Sequence, residues 1–170
     1  MSAPLAMRPY LPTDRAACAA IFRAGIEALA GEDYDEDQRA AWMGAADDEA
    51  AFGARLAGSL TLVATIAGEP AGFASLKGRD VIDLLYVGPQ HARRGIASAL
   101  IDALTRLASG RGAARLTADV SDTARGLFER QDFVAQRRNL VEIDGQWLAN
   151  TTMTKALASE ASLRPALTKH

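Results

Sequence analysis

The chain has 170 residues, of which 49% are hydrophobic and 24% are charged, and its formal net charge is -2. This size and balance suit one globular domain, and the small acidic excess gives no support to nucleic-acid binding. The first ten residues lack the features of a signal peptide and no stretch approaches 18 apolar residues, so we expect a cytoplasmic protein without a membrane partner.

The N-terminal part is predicted to begin with one strand and to continue with a helix. Residues 5–10 are predicted to form the strand, and Thr13 and Asp14 are typical of a helix cap and first turn. Apolar residues then recur on one helical face, which predicts a helix that ends near Ala30.

An acidic connector, GEDYDEDQ (31–38), follows this helix. Within it, Asp35 and Gln38 have the spacing of a capping box, which predicts a second helix that continues through Trp42. Asp48 is predicted to cap a third, short helix.

From residue 60 the chain changes to apolar runs that are separated by short turns. LTLVATI, AGFASLK and VIDLLYV are predicted to form three strands, and their tight spacing predicts an antiparallel meander. A long amphipathic helix is predicted to begin at Gly95, with Gly110 as its C-terminal cap.

The C-terminal part is predicted to add a strand, a helix and a hairpin. ARLTADV is predicted to run parallel to VIDLLYV, because a helix connects the two, and residues 121–131 are predicted to form a helix. The dipeptide DG at 144–145 predicts a hairpin turn. The predicted fold class is therefore α/β around one mixed sheet, in a domain of residues 1–155 followed by a C-terminal tail, 156–170.

The loop before the long helix contains Arg93, Arg94 and Gly95. The first amides of a helix are unpaired and carry partial positive charge, glycine allows close approach of an anion, and arginine is well shaped for phosphate. These features predict a phosphate or pyrophosphate site at residues 92–98. A solvated basic turn is an equally good interpretation of the residues alone.

The segment LLYVGPQHARRGIASALIDAL (84–104) resembles the acetyl-coenzyme A signature of the GNAT superfamily of N-acetyltransferases. That signature is a strand, then V-x-P, then [QR]-x-x-G-x-[GA] at the start of a helix. Gly95 and Ala97 match its later positions, whereas Ala92 stands where the family has Gln or Arg. The resemblance implies that backbone amides hold the pyrophosphate, so this departure removes one side-chain contact.

A second segment, SDTARGLFERQDF (121–133), is similar to the second GNAT motif, N-x-x-A-x-x-[FY]-[YF]-E-x-x-G-F. The predicted element order matches the GNAT fold over residues 5–155, and YDEDQRAAW and WLANTTMTKAL resemble the two ends of a bacterial subgroup of acetyltransferases. The resemblance implies a mostly antiparallel mixed sheet that is flanked by helices.

The resemblance further implies an N-acetyltransferase that moves an acetyl group from acetyl-CoA directly to a primary amine in a ternary complex. The implied acceptor is the amine of a small molecule or a peptide, and no metal is expected. GNAT domains often dimerise, so a homodimer is compatible with the resemblance. The residues implied to bind the cofactor are Leu85, Tyr86, Val87, Arg93, Arg94, Gly95, Ile96, Ala97, Ser98, Ser121 and Phe128.

Acetyl transfer needs a donor for the developing oxyanion and a base for the amine proton. The family resemblance assigns the donor to the backbone N–H of Val87. Asp83 is the first candidate for the base, because it is a carboxylate within an otherwise apolar strand. A solvent-facing position or a pair with an arginine across the sheet is an equal alternative for Asp83. Tyr86 is a second candidate, and Cys18, the only cysteine, is expected in the core.

The second motif departs from the family at the position of the usual leaving-group acid. The family's tyrosine aligns with Phe128, which has no proton to donate, so water or another residue protonates the thiolate, or no acid is needed. An alternative function is therefore a catalytically weak acyl-CoA-binding or regulatory domain. Ser121 aligns with an Asn that binds the pantetheine arm, and a helix cap is an equal interpretation. Asp132 replaces a glycine, which predicts an unusual backbone conformation.

The acceptor pocket is expected between the acidic connector and the last hairpin. Asp33, Tyr34, Asp35 and Trp42 could bind a cationic amine through charge and cation–π contacts. A solvated acidic loop with the tryptophan in the core is at least as good an interpretation. Asn150, on the last predicted strand, is a candidate polar contact to the acceptor.

Overall fold

The computed structural model describes residues 4–157. The strands are β1 (Leu5–Pro9), β2 (Leu60–Ile66), β3 (Glu69–Lys77), β4 (Val81–Val87), β5 (Arg115–Ser121), β6 (Val134–Ile143) and β7 (Gln146–Ala156). The helices are α1 (Arg15–Leu29), α2 (Glu36–Met43), α3 (Glu49–Ala57), α4 (Ile96–Gly110) and α5 (Arg125–Arg130). This order confirms the predicted succession of strands and helices.

The strands form one seven-stranded sheet in the order β1-β2-β3-β4-β5-β7-β6. Neighbouring strands are antiparallel except β4 and β5, which α4 connects as the predicted crossover. Asp144 and Gly145 have φ angles of 47° and 82° in the β6–β7 turn, the left-handed pair that a two-residue hairpin requires. The α/β class with a mostly antiparallel mixed sheet is therefore confirmed.

β4 and β5 pair over only a short length. Their register joins Val81 to Thr117 and Ile82 to Ala118, and the two strands continue beyond these pairs without further partners in each other. The sheet therefore has a fork in its middle, where β4 remains paired with β3 and β5 remains paired with β7.

An apolar core covers each face of the sheet. Under α4 and α5 the first core includes Leu100, Leu104, Leu116, Phe128 and Met153. Under α1 and α3 the second core includes Phe22, Phe52, Leu56, Phe73 and Leu84. From Leu84 to Val87, successive side chains of β4 alternate between these two cores, so the fork lies between them.

The predicted caps of α2 and α3 are confirmed. Asp35 accepts a hydrogen bond from the Gln38 amide at 2.8 Å, and the Gln38 side chain accepts one from the Asp35 amide at 2.9 Å. Asp48 accepts from the Ala51 amide at 3.0 Å. Each interaction joins residues three apart in the chain, which is why the sequence could predict it.

Two other helix ends differ from the predictions. Asp14 precedes α1, but its carboxylate accepts from the Leu11 amide at 2.8 Å and from the Arg8 guanidinium at 2.7 and 2.8 Å, so it closes the turn before the helix instead of capping it. Gly110 is the last helical residue of α4, and the left-handed position after the helix belongs to Gly112, with φ 80°.

The helix predicted for residues 121–131 is shorter than expected. Ser121 pairs with Asn150 as the last residue of β5, so α5 begins only at Arg125. The predicted unusual conformation of Asp132 is confirmed, since its φ is 71°.

The domain continues slightly past its predicted boundary. Ala156 is the last residue of β7, and Leu157 is buried, with its amide donating to Ala114 O at 2.9 Å. The rest of the predicted tail, 158–170, lies outside the described residues. Within residues 4–157, no helix is both long enough and apolar enough to cross a membrane.

Candidate active site

The fork between β4 and β5 opens into a cavity of about 340 Å³. Its lining comes from both strands, from α1, from the connector before α2, from the start of α4, from α5 and from the β6–β7 hairpin. Of the residues singled out in the sequence, the cavity brings together Tyr34, Trp42, Asp83, Leu85, Tyr86, Val87, Ala97, Ser121, Phe128 and Asn150. Residues from distant parts of the chain therefore meet at one place.

The free edge of β4 directs backbone amides toward this cavity. The Gly88 amide donates to Ala71 O at 2.8 Å, so these two residues are a hydrogen-bonded pair across the β3–β4 ladder. Because hydrogen bonding alternates along an antiparallel ladder, the amides of Leu85 and Val87 face away from β3, toward the side from which β5 has diverged. The proposed oxyanion donor, Val87 N–H, therefore lies on the open edge together with Leu85 N–H.

The loop between β4 and α4 curls just before the helix begins. Arg93 has a φ of 64° and Gly95 has a φ of 78°, so left-handed residues lie on both sides of Arg94. The first backbone bond of α4 joins the Ala99 amide to Gly95 O, which leaves the amides of residues 96–98 without intrahelical acceptors. Those amides belong to Ile96, Ala97 and Ser98, the residues singled out in the sequence.

This loop fits a diphosphate group. Among the described residues, nothing beyond the adjoining backbone lies within 4 Å of the place where a Cβ would stand on Gly95, so the approach to the helix N-terminus is open. Arg93 and Arg94 are exposed, and neither has an ion pair or a side-chain hydrogen bond within residues 4–157. Amide and guanidinium donors are thus available together at the positive end of a 15-residue helix.

Asp83 lies at the point where β4 leaves β5, and the β3–β4 ladder skips it. Both of its carboxylate oxygens accept hydrogen bonds from the Arg55 guanidinium, at 2.8 and 3.0 Å, and this contact raises the pKa of Arg55. The sequence left open an arginine partner for Asp83, and the structure provides one from α3. Asp83 therefore reaches the cavity as one half of an ion pair.

Tyr86 and Trp42 belong to an aromatic cluster beside the cavity. The Trp42 indole N–H donates to the Tyr86 hydroxyl at 3.2 Å, and the Tyr86 ring lies 4.7 Å from that of Phe22. Desolvation raises the pKa of Tyr86 to about 12. The Tyr86 hydroxyl therefore stays protonated at neutral pH, which makes it unsuited to remove a proton from an amine.

Tyr34 is buried, and its hydroxyl is fully engaged with the backbone. The hydroxyl donates to Ala149 O at 2.6 Å and accepts from the Asp122 amide at 2.9 Å. Burial raises the pKa of Tyr34. The Tyr34 ring packs edge-on against Trp42, with centroids 5.4 Å apart, so these two residues give the cavity an aromatic wall.

The acidic connector does not bring its carboxylates into this wall. Asp33 accepts a hydrogen bond from the Thr123 hydroxyl at 3.0 Å, and Asp35 caps α2. Neither residue lines the cavity. Of the four residues predicted to bind the acceptor, Tyr34 and Trp42 therefore line the cavity, whereas Asp33 and Asp35 do not.

The second motif supplies an apolar surface to the cavity. Phe128 is buried and packs against Phe133 with ring centroids 4.9 Å apart. Ser121 Oγ accepts from the Ala124 amide at 3.2 Å, so it closes the turn before α5 while it also lines the cavity. Asn150 lies opposite Ser121 in the ladder.

Two charged residues at the fork were missed by the sequence analysis. Arg55 lies on α3, and no local pattern in the sequence connects it to Asp83, which is 28 residues away. Asp119 lines the cavity from β5. Its signal in the sequence was a carboxylate within the strand ARLTADV, the same kind of signal that pointed to Asp83.

Comparison with known proteins gives consistent matches. The GNAT acetyltransferase domain family matches residues 30–157. The uncharacterised N-acetyltransferase YafP of Escherichia coli (strain K12) is 37% identical over 147 residues, which are 86% of this chain and 93% of that protein.

Solved structures match over most of the chain. The crystal structure of a GCN5-related N-acetyltransferase from Rhodopseudomonas palustris has a TM-score of 0.90 and 57% identity, and covers 92% of this chain and 98% of its own. YncA from Salmonella typhimurium, solved with acetyl-CoA, shares the fold at a TM-score of 0.61 and 22% identity, covering 92% of this chain and 96% of its own.

Proposed function

We propose that this chain, which belongs to the GNAT family of acetyltransferases, transfers an acetyl group to a primary amine. GNAT acetyltransferases use acetyl-CoA, and the proposed transfer is a direct attack by the amine in a ternary complex. The observation that carries the proposal is the fork between β4 and β5. It opens amide donors to a cavity of about 340 Å³ that Tyr34 and Trp42 also line.

The loop before α4 is proposed to hold the diphosphate of acetyl-CoA. Gly95 leaves the approach open, the amides of residues 96–98 donate, and Arg93 and Arg94 add positive charge. The free edge of β4 then receives the pantetheine arm, with Leu85 and Val87 N–H groups as its partners. Ser121 and Phe128 line the same cavity and are proposed to contact that arm.

The amides on the free edge of β4 are also proposed to stabilise the transition state. As the amine attacks, negative charge develops on the thioester oxygen, and a preorganised N–H donor stabilises that charge. Val87 N–H, or Leu85 N–H on the same edge, is the proposed donor, because both amides face away from β3. Since both donors belong to a ladder that β3 holds in place, little reorganisation is needed when the charge forms.

Cys18 supports direct transfer over an acyl-enzyme. It is fully buried in the core under α1 and does not line the cavity. Burial raises the pKa of its thiol to about 12, so the nucleophilic thiolate is scarce at neutral pH. The amine itself is therefore the proposed nucleophile.

Phe128 favours departure of the CoA thiolate without a protein acid. Its ring has no proton to give and is enclosed with Phe133. A thiolate is a much better leaving group than an alkoxide, because a thiol ionises near pH 8.5. Phe128 is also the observation behind the second candidate function, a catalytically weak acyl-CoA-binding domain.

Calorimetry and a thiol-release assay test this proposal together. We expect acetyl-CoA to bind, and thiol release to depend on at least one acceptor from a panel of polyamines, aminoglycosides, amino acids and peptides. No binding at millimolar acetyl-CoA would overturn both candidate functions. Binding without turnover on any acceptor would favour the binding domain.

A further inference from the structure

We propose that Asp119, and not Asp83, is the carboxylate that takes the proton from the acceptor amine, with Thr152 and Asn139 as positioning residues. The inference rests on the proposed acetyl transfer. It assigns the proton acceptor of that reaction to a residue that the sequence motifs do not include.

Asp119 lies at the start of the fork. It is one residue beyond Ala118, which pairs with Ile82, so the parallel register brings it level with Asp83 on the neighbouring strand. Its side chain is exposed to the cavity. Leu85 is two residues further along β4, which corresponds to about 7 Å, whereas Val87 is four residues further, about 13 Å. The assignment of Asp119 therefore takes Leu85 N–H, of the two proposed amides, as the oxyanion donor. The shorter spacing allows an amine held near the Leu85 amide to reach Asp119 directly or through one water.

A chain of side-chain hydrogen bonds holds Asp119 in one orientation. Asp119 Oδ1 accepts from the Thr152 hydroxyl at 2.6 Å, and Thr152 Oγ1 accepts from Asn139 Nδ2 at 2.8 Å. Asn139 Oδ1 accepts in turn from Arg137 Nε at 2.9 Å. Because a threonine hydroxyl has one proton, the bond from Asn139 leaves that proton for Asp119.

The second oxygen of Asp119 remains available. Within residues 4–157, Oδ2 has no hydrogen-bond partner and no cation contacts the carboxylate. The Asp119 carboxylate can therefore receive a proton on Oδ2 while Thr152 keeps Oδ1 in place. This arrangement resembles an oriented base, in which one side of the group is fixed and the other faces the substrate.

Asp83 is in the opposite situation. Both of its oxygens accept from Arg55, so proton uptake would disrupt a bidentate ion pair. Charged side chains reach this part of the sheet from β4 and α3, as the Asp83–Arg55 pair, and from β6, where Arg137 is connected to Asp119 through Asn139 and Thr152. Asp83 and Arg55 together carry no net charge, whereas the Asp119 carboxylate has no ion-pair partner within residues 4–157.

The proton and electron balance of the step is simple. The ammonium form of the acceptor gives one N–H proton to Asp119 Oδ2, and the neutral amine then uses its lone pair to form the C–N bond at the thioester carbonyl carbon. The C–S bond breaks and its electron pair leaves with the CoA thiolate. The second N–H proton passes to the thiolate through water, and Asp119 returns its proton to solvent.

Turnover of Asp119→Asn and Asp83→Asn across a pH series tests the assignment. Asp119→Asn is expected to lower kcat/KM about 100-fold at neutral pH, the usual scale of general base catalysis, with an unchanged Kd for acetyl-CoA. The loss should shrink as the pH approaches the pKa of the amine, because the amine then deprotonates in solution. Asp83→Asn should show no such recovery.

Thr152 provides the test of positioning. Thr152→Val is expected to shift the pH profile toward that of Asp119→Asn, and Thr152→Ser to restore it, because serine keeps the hydroxyl. Thr154→Val is the matched control, because it removes a hydroxyl from the same strand. The Thr154 hydroxyl accepts a hydrogen bond from Gln136 and does not contact Asp119. Equal effects of the two valine variants would overturn the positioning role.

The outcomes separate this inference from the proposed function. Full turnover in Asp119→Asn, or a loss that stays constant with pH, overturns the assignment while acetyl transfer stands. If only Asp83→Asn shows a loss of turnover that depends on pH, the proton acceptor is Asp83, and the assignment to Asp119 is overturned as well. Wild-type protein that binds acetyl-CoA but acetylates no amine overturns the proposed function itself, and the assignment with it.

Discussion

Replacing Gly95 with glutamate is the most direct test of the diphosphate site. Gly95 has a φ of 78°, and within residues 4–157 nothing beyond the adjoining backbone lies within 4 Å of the position that a Cβ would take, so the first atom of the new side chain meets no steric obstacle there. The left-handed backbone costs a residue with a Cβ about 1–2 kcal/mol. In a domain of this size that cost lowers Tm by about 2–8 °C, so the protein should stay folded.

The effect on acetyl-CoA binding should be much larger than the effect on stability. At an effective dielectric constant of about 20, a carboxylate about 6 Å from one phosphate charge is repelled by about 3 kcal/mol, or about 100-fold in Kd. Calorimetry with acetyl-CoA measures this loss directly. Because the site is exposed, the repulsion should weaken as salt is added.

Gly112→Glu is the matched control for this substitution. Gly112 has a φ of 80°, also has nothing within 4 Å of a Cβ position, and follows the opposite end of α4. It should cost similar stability and leave acetyl-CoA binding unchanged. Intact binding in Gly95→Glu, or equal losses in both variants, would show that the diphosphate binds elsewhere.

Three further substitutions test other parts of the argument. Asp14→Asn should lower the free energy of unfolding at pH 7 by about 2 kcal/mol, because it removes the charge that binds Arg8. Arg8 lowers the pKa of Asp14, so the wild-type advantage is complete above the usual Asp pKa and disappears as pH falls through the lowered value; urea unfolding that shows a pH-independent difference contradicts this. Tyr86→Phe should keep the pH profile of kcat unchanged below about pH 10, because the Tyr86 hydroxyl, with its pKa raised to about 12, does not ionise there; loss of an alkaline limb would refute this. Phe128→Tyr should leave kcat within about threefold, because the thiolate leaves without an acid, and a tenfold rise would show that the missing acid limits the rate.

The parts of the fold that the sequence predicted well depend on neighbours in the chain. The capping box of α2, the Asp48 cap of α3, the DG hairpin turn and the meander involve residues only a few positions apart, so their patterns are visible in a single segment. The error at residues 121–124 arose where tertiary pairing competed with local propensity. Ser121 stays in β5 because Asn150 pairs with it, although its neighbours suit a helix.

The diphosphate loop was likewise visible because it is contiguous. Arg93, Arg94 and Gly95 lie between a strand and a helix in one short segment, so the chemistry of an anion site could be inferred before its geometry was known. The structure added the two left-handed residues and the open approach to the helix N-terminus, which make this inference specific.

The sequence by itself determined the family, the order of elements and the loop that is proposed to hold acetyl-CoA, because each depends on motifs whose residues are close together in the chain. Only the tertiary structure decided which carboxylates at the fork are free. For Asp83, the first candidate for the base, the sequence left an arginine pair open, and α3 brings Arg55 to it from 28 residues away. Asp119 became a candidate because the order β5-β7-β6 brings Thr152 and Asn139 beside it. Contacts between strands that are distant in the chain depend on how the sheet is assembled, so no local pattern records them.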